Sequence, residues 1–316
     1  MTHALMRLND LTKKINMMKI KLTAMIVAFI CLTTTNVTAQ GLIDGFFNKK
    51  GEANLSLSYS YSTYDSFYVG KTKVEGVPAH NEITQDIFNF YANYGITDRL
   101  TAIVNLPYIS SNGKGNPDPI NGTTEQKDIQ DLSVALKYNL HNETLKHGTM
   151  TYFAALGGSM PLGYEPTGIL SIGNGAPTLD AKLGMHYKNN GGFFGTVALG
   201  YTVRGEADNN FNLGDGSDFD APNSVNTLIK VGYSASIIYL DAWFDSQSTS
   251  KKGIDIGGPG FFGNFPETKV DYARVGGNVY VPIASNFGIN AGVGTIVDGR
   301  NIGKGTTYTG GVVFKL

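Results

Sequence analysis

The chain has 316 residues, with 25 Lys and Arg against 26 Asp and Glu, a formal charge of −1. With no basic patch, that balance argues against nucleic acid as a partner. Forty glycines with 17 Tyr, 17 Phe and one Trp do not suggest a helical enzyme and fit a glycine- and aromatic-rich β protein.

In chain order, Lys19 and Lys21 precede an apolar run from Leu22 to Leu32, followed by "TTTNVTA". Val37 and Ala39 occupy the small-residue positions of an export signal, predicting cleavage between Ala39 and Gln40. The run is too short to span a bilayer as a helix, which takes about 20 residues. A start codon at Met17 or Met18 would leave the preceding residues untranslated. A lipid anchor at Cys31 is the rival reading, but "AFIC" lacks the Leu and small residues usual before such a cysteine. Cys31 is the sole cysteine and leaves with residues 1–39, so the mature chain has no disulfide and no thiol chemistry. Five basic residues and one acidic residue leave too, and 20 Lys and Arg against 25 Asp and Glu give −5.

Residues 40–51, "QGLIDGFFNKKG", form a short leader. Its apolar part, Gly41 to Phe47, has three readings: a small plug in a lumen, a short helix at the periplasmic face, or a flexible leader. From residue 52 to 316 the period is two, and strands are expected near 52–64, 82–94, 99–109, 128–140, 148–158, 177–188, 192–204, 223–233, 236–246, 269–281, 286–297 and 305–316. Each is long enough to cross a bilayer, which takes a tilted strand roughly 9–11 residues.

The breaks at 95–98, 141–147, 189–191, 234–235 and 282–285 are short. Those at 65–81, 110–127, 159–176, 205–222 and 247–268 are long and rich in Gly, Asn, Asp and Pro. Short and long alternate up to 298–304, which is moderate. The layout predicts an all-β fold, a transmembrane antiparallel β-barrel of about 12 strands with short periplasmic turns and long extracellular loops. The cell compartment is then the Gram-negative outer membrane. A soluble sandwich also alternates along its strands, but does not require long and short loops to alternate.

Aromatics fall at both strand ends. Tyr94, Tyr138, Tyr187 and Tyr233 precede short turns, while Tyr61, Tyr108, Tyr201 and Phe244 precede long loops. Rings with a polar tip prefer headgroup level, so these eight describe two girdles.

The hairpin "YGITDRL" followed by "AIVNLPY" resembles a pattern of the outer-membrane transporter family named for the meta-pathway of phenol degradation, related to FadL-type channels for hydrophobic compounds. The resemblance covers about 20 residues and implies an uptake channel. FadL-type channels have fourteen strands and an N-terminal hatch of several helices; here only the leader precedes the first strand. The chain ends in Leu316 rather than an aromatic, with Phe314 nearby. The turn also has a local physical reason: Gly95 permits a positive φ, Thr97 and Asp98 can bond nearby backbone, and Pro107 ends ladder pairing near a rim.

A barrel of roughly 12 strands has more interior than side chains alone fill. The candidate lumen lining is Gln85, Asn89, Asn93, Asn105, Lys137, Asp180, Lys182, His186, Arg204, Lys230, Tyr239, Asp241, Trp243, Asp245, Arg274 and Asn278. These select solute by charge and width, or pair with one another, as Asp241 with Arg274, only to be satisfied. Trp243 and Tyr239, with Phe153 and Phe194, suggest an aromatic site for an apolar solute; a one-residue slip in register makes Trp243 a rim anchor instead. Asp208, Asp215, Asp218 and Asp220 offer oxygen ligands of the kind Ca²⁺ takes, but their spacing fits no EF-hand, and a solvated acidic loop is the plainer reading.

Enzyme signatures fail. "GPGFFG" from Gly258 lies in a loop with Pro259, and H-E-x-x-H and G-x-S-x-G are missing. A lipid-cleaving barrel like outer membrane phospholipase A needs a His and Ser facing lipid at the outer leaflet. His80 is read as a long-loop residue, His141 and His147 as a short turn, and His186 as inward. The expectation is a channel for passive uptake of small hydrophobic or amphipathic molecules, without cofactor or metal. Its partners would be outer-membrane lipid and lipopolysaccharide, a small-molecule solute, and the barrel-assembly machinery. A structural or adhesive barrel acting through its outer loops stays open, and so, further off, does a barrel enzyme.

Overall fold

The computed structural model describes residues 43–209, 216–250 and 252–316. The expected signal peptide lies outside them, as do residues 40–42 of the leader. Twelve long antiparallel strands form one closed wall. They are β1 (Ala53–Tyr64), β2 (His80–Thr97), β3 (Leu100–Gly115), β4 (Leu132–Leu145), β5 (Gly148–Met160), β6 (Thr178–Asn189), β7 (Phe193–Arg204), β8 (Ser224–Ser234), β9 (Tyr239–Thr249), β10 (Asp271–Ala284), β11 (Phe287–Arg300) and β12 (Thr306–Lys315). Each pairs with its neighbours in sequence, and β1 closes on β12 from Asn54↔Lys315 to Thr63↔Thr306. Closure leaves no open edge, so every strand's backbone groups find partners within the wall.

Burial runs inside-out. Ser56, Ser58, Ser60 and Ser62 of β1 are buried, while Leu57, Tyr59 and Tyr61 between them are exposed. Leu183 is 64% exposed, and Leu136, Leu199 and Val231 are exposed too, whereas the last three share their strands with buried Lys137, Thr196 and Lys230. An apolar band around a polar interior suits a wall solvated by lipid and is foreign to a soluble sandwich. The fold is therefore an outer-membrane β-barrel.

Strand ends differ from expectation in places. The turn expected over 141–147 is a two-residue link: β4 bulges beside Asn139, runs on to Leu145, and β5 starts at Gly148. His141 consequently lies in a strand, near Tyr152. The link at 234–235 lengthens to 235–238. β2 and β3 extend beyond the expected spans, so their hairpin stands up into the outer loops. On the outer side, Glu125–Ile129 continues the line of β4 along β3, with Gln130 and Asp131 interrupting it. A small sheet of Ser66–Val69, Thr72–Glu75 and Ile302–Gly303 ties the first long loop to the last.

Candidate functional site

Side chains alternate across the wall, and the cross-strand register carries one inward set around the barrel. Ser58 faces Asn89 and Asn54 faces Asn93; Tyr91 faces Asn105; Thr101 faces Lys137. Asp180, Lys182 and His186 sit opposite Thr202, Gly200 and Thr196. Lys230 is opposite Trp243, Asp241 opposite Asn278, Asp245 opposite Arg274, and Tyr239 opposite Tyr280. With Gln85 beside Ser62 and Arg204 beside Thr178, all sixteen residues named from the sequence occupy inward positions. Lys188, Asn226, Gln247, Tyr272 and Lys315 share that set and went unnamed, although the same parity reaches them.

The lower lumen is filled by residues 43–48. Ile43, Asp44, Phe46 and Asn48 are each under 9% exposed. Ile43 packs among Ile103, Ala135, Phe153 and Ala198. Phe46 meets His186 at 4.6 Å, Phe194 at 5.0 Å and Tyr239 at 6.0 Å between ring centres. Lys137 Nζ donates to the Asp44 carboxylate at 2.9 Å, to its carbonyl at 3.1 Å, and to the Phe46 carbonyl. Asn48 donates to Asn93 Oδ1 at 2.6 Å. Gly45 permits this seating, because a Cβ there would lie 2.3 Å from His186. These contacts hold residues 43–48 inside the lower lumen.

Behind the segment, Lys230 lies 3.2 Å from Asp241. Asp241 accepts from Tyr239 Oη at 2.7 Å and from Asn278 Nδ2 at 2.8 Å. Arg274 grips Asp245 through two bonds of 2.8 and 2.5 Å. The anticipated Asp241–Arg274 pair does not form, because the register sets Arg274 directly opposite Asp245. The proposed aromatic group also divides. Phe194 stacks on Tyr239 at 5.4 Å and Phe153 sits 6.4 Å from Phe47, whereas Trp243 belongs to the space above.

That space is a cavity of about 1020 Å³, lined by Asn105, Asp180, Lys182, Arg204, Trp243 and Tyr272 among others. Its roof comes from two outer loops. Residues 168–174 fold inward, held by Asp118 accepting from Ile169 N at 2.7 Å and by Tyr164 Oη donating to Asp131 at 2.6 Å. Phe265, Pro266 and Thr268 roof the other side.

Outward, the register places Tyr94, Tyr138, Tyr187 and Tyr233 at the short-turn end and Tyr61, Tyr108 and Tyr201 toward the long loops, whereas Phe244, expected in the outer girdle, lies at the middle of β9 opposite Ile229. The lipid face also carries a groove of about 630 Å³ walled by Leu57, Tyr59, Phe88, Phe90, Leu106 and Tyr108. It opens where Gly310 contributes no side chain and where Pro107 contributes no N–H to the ladder. The sequence reading missed it, though "TGG" within a strand was a signal.

His80 begins β2 and is buried, rather than lying in a free loop. Of the four loop aspartates, Asp215 lies outside the described residues. Asp218 accepts from Asn209 N at 3.1 Å, and among the described residues no cluster of three or more His, Cys, Asp or Glu could hold a metal ion.

A family model described as "Putative MetA-pathway of phenol degradation" matches residues 76–309. No curated protein sequence matches the chain. The crystal structure of an outer membrane channel from Pseudomonas putida F1 is similar, with a TM-score of 0.66 at 14% identity over 85% of this chain and 97% of that one. At that identity the likeness speaks for the fold alone. The NanC porin (TM-score 0.49, 10% identity, 83% and 100% covered) and a FadL homologue from Pseudomonas aeruginosa (0.37, 10%, 84% and 90%) are more distant and carry no argument.

Proposed function

The chain belongs to the family described as a putative MetA-pathway of phenol degradation, and on that premise we propose that it is an outer-membrane channel passing small hydrophobic or amphipathic molecules passively. The observation that carries this reading is the cavity of about 1020 Å³ in the upper lumen, beneath the outer loops. Its volume is at the upper end for a small-molecule site, and its wall mixes a few charges with Trp243 and Tyr272. Solute enters between the outer loops, rests in the cavity, and reaches the periplasm when residues 43–48 yield. The groove beside Pro107 supports the hydrophobic half of the reading, because it gives an apolar solute a place on the lipid side of the same wall.

The test is conductance in planar bilayers together with liposome swelling, for the whole mature chain and for a variant lacking residues 40–48. Current in the mature chain that rises in the truncated variant is expected. Bilayers silent for both would overturn the proposal.

A further inference from the structure

The lumen holds charges of both signs, and most of them are matched. Three interior carboxylates are matched by cations: Asp44 by Lys137, Asp241 by Lys230, and Asp245 by Arg274. Two more accept from hydroxyls, Asp131 from Tyr164 and Asp180 from Thr178 and Thr202. Lys182, Lys188, Arg204 and Lys315 face the same interior. Lys188 and Lys315 stand at the short-turn end, over Phe46 and Tyr280, whereas around the upper cavity Lys182, Arg204 and Arg274 equal Asp131, Asp180 and Asp245 in number.

One of these cations is available. Arg204 is occupied by the Pro222 carbonyl, Ser224 and Gln247. Lys182 lines the cavity and makes no hydrogen bond or ion pair with the described residues. Asp180 and Asp245 act on it electrostatically, yet their oxygens are engaged by Thr178, Thr202 and Arg274. Trp243 lines the same cavity from β9, its indole leaning away from β6 across β10 and β11, with the Arg274 guanidinium 6.0 Å from the ring centre. Its indole rests on two glycines: a Cβ at Gly276 would come within 2.2 Å of it and one at Gly294 within 2.8 Å. The wall is thus cut to lay a flat aromatic surface along the cavity.

We infer that the upper lumen is a binding site for a small organic monoanion with an aromatic body, its carboxylate on Lys182 and its body against Trp243. The inference rests on the channel reading and adds a substrate class to it. A carboxylate meeting an ammonium that has no hydrogen-bond partner among the described residues gains a charge-assisted bond, while an alcohol of the same body gains only a neutral one.

Trp243 is the sole tryptophan, so intrinsic fluorescence of the purified barrel reports the site directly. Benzoate and benzyl alcohol form the matched pair of probes. Benzoate is expected to half-saturate the fluorescence change at a concentration about tenfold below benzyl alcohol, the factor corresponding to one bond of about 1.4 kcal/mol. Lys182→Gln should erase that difference and Lys182→Arg should keep it, each in a barrel whose heat-modifiable gel mobility is unchanged. Equal responses to the two probes in the wild type, no response to either, or an undiminished preference in Lys182→Gln would overturn the inference. Salt-gradient reversal potentials separate it from the channel reading. Lys182-dependent benzoate binding with silent bilayers would leave the site standing and remove the channel, and current without that binding would do the reverse.

Discussion

Lys137 on β4 and Asp44 of the leader form an ion pair 2.9 Å long, with side chains only 3% and 8% exposed. The same ammonium also binds two carbonyls of the leader, so one lysine holds residues 43–48 inside the barrel. Removing one partner of a buried pair leaves the other charge stranded, which costs about 3–5 kcal/mol. Asp44→Ala should therefore unseat the segment while the wall survives. The expected readout is a larger and noisier single-channel conductance, with the heat-modifiable mobility of wild type. An unchanged conductance would show that Phe46 and Ile43 seat the segment without the ion pair.

Leu183 and Lys182 are sequence neighbours on opposite faces of β6. Leu183 is 64% exposed toward lipid, near the middle of the strand. Leu183→Arg should cost about 2–4 kcal/mol, the penalty of a cation near the bilayer midplane. Lys182→Gln, inside, should fold as wild type. Urea titrations of refolding into lipid vesicles compare the two, and similar midpoints would contradict the assignment of faces.

Gly276 gives Trp243 its place, because a Cβ there would stand 2.2 Å from the indole. Gly276→Val should push the ring off the wall at a cost of about 1–3 kcal/mol, typical of overpacking. The emission maximum of the single tryptophan should move as the ring enters the cavity. A spectrum identical to wild type would mean that the wall, and not the ring, gives way.

Asp255 ties the long loop before β10 to the end of β11. It accepts from Arg300 at 2.6 and 2.7 Å and from Asn301 at 2.9 Å. The Arg300 guanidinium, with help from Asn301, holds its carboxyl at about 2, below the ordinary 3.8. A depressed folded value means the stabilisation is complete above about pH 4 and is lost as pH falls from there toward 2. The side chain is 34% exposed, so solvent screening limits the contribution to about 1 kcal/mol. Limited proteolysis of residues 250–270 should be flat from pH 8 to pH 5, and with pepsin should rise between pH 4 and pH 2. Asp255→Asn should raise cleavage between pH 8 and pH 5, the difference from wild type closing as pH falls toward 2, and a loop equally protected in that variant at pH 8 would exclude the clasp.

Much of the wall was legible because its determinants are local. Leu132, Val134, Leu136 and Tyr138 alternate with Ser133, Ala135, Lys137 and Asn139, and a hairpin with a short turn pins its own register. Parity then propagates inward or outward positions around the barrel, which is why single residues as far apart as Gln85 and Asn278 could be assigned a face. Partners across the lumen were not legible. Asp241 shares its inward face with Arg274, yet its cation is Lys230; Phe153 and Phe194 share that face with Trp243, yet they pack with Phe47 and Phe46.

Both departures share one cause. Alternation says which face a side chain occupies, and it says nothing about height, which follows from strand stagger summed around a closed sheet. By itself, then, the sequence determined an outer-membrane barrel with a polar interior, short inner turns and long outer loops, because hydrophobic period and turn chemistry act over a few residues. Only the tertiary structure decided that residues 43–48 fill the lower lumen, that two outer loops roof a cavity of about 1020 Å³, and that Lys182 faces it without a hydrogen bond or ion pair to the described residues. Each of those depends on residues brought together by closing the wall, where stagger and packing, not spacing along the chain, set the distance.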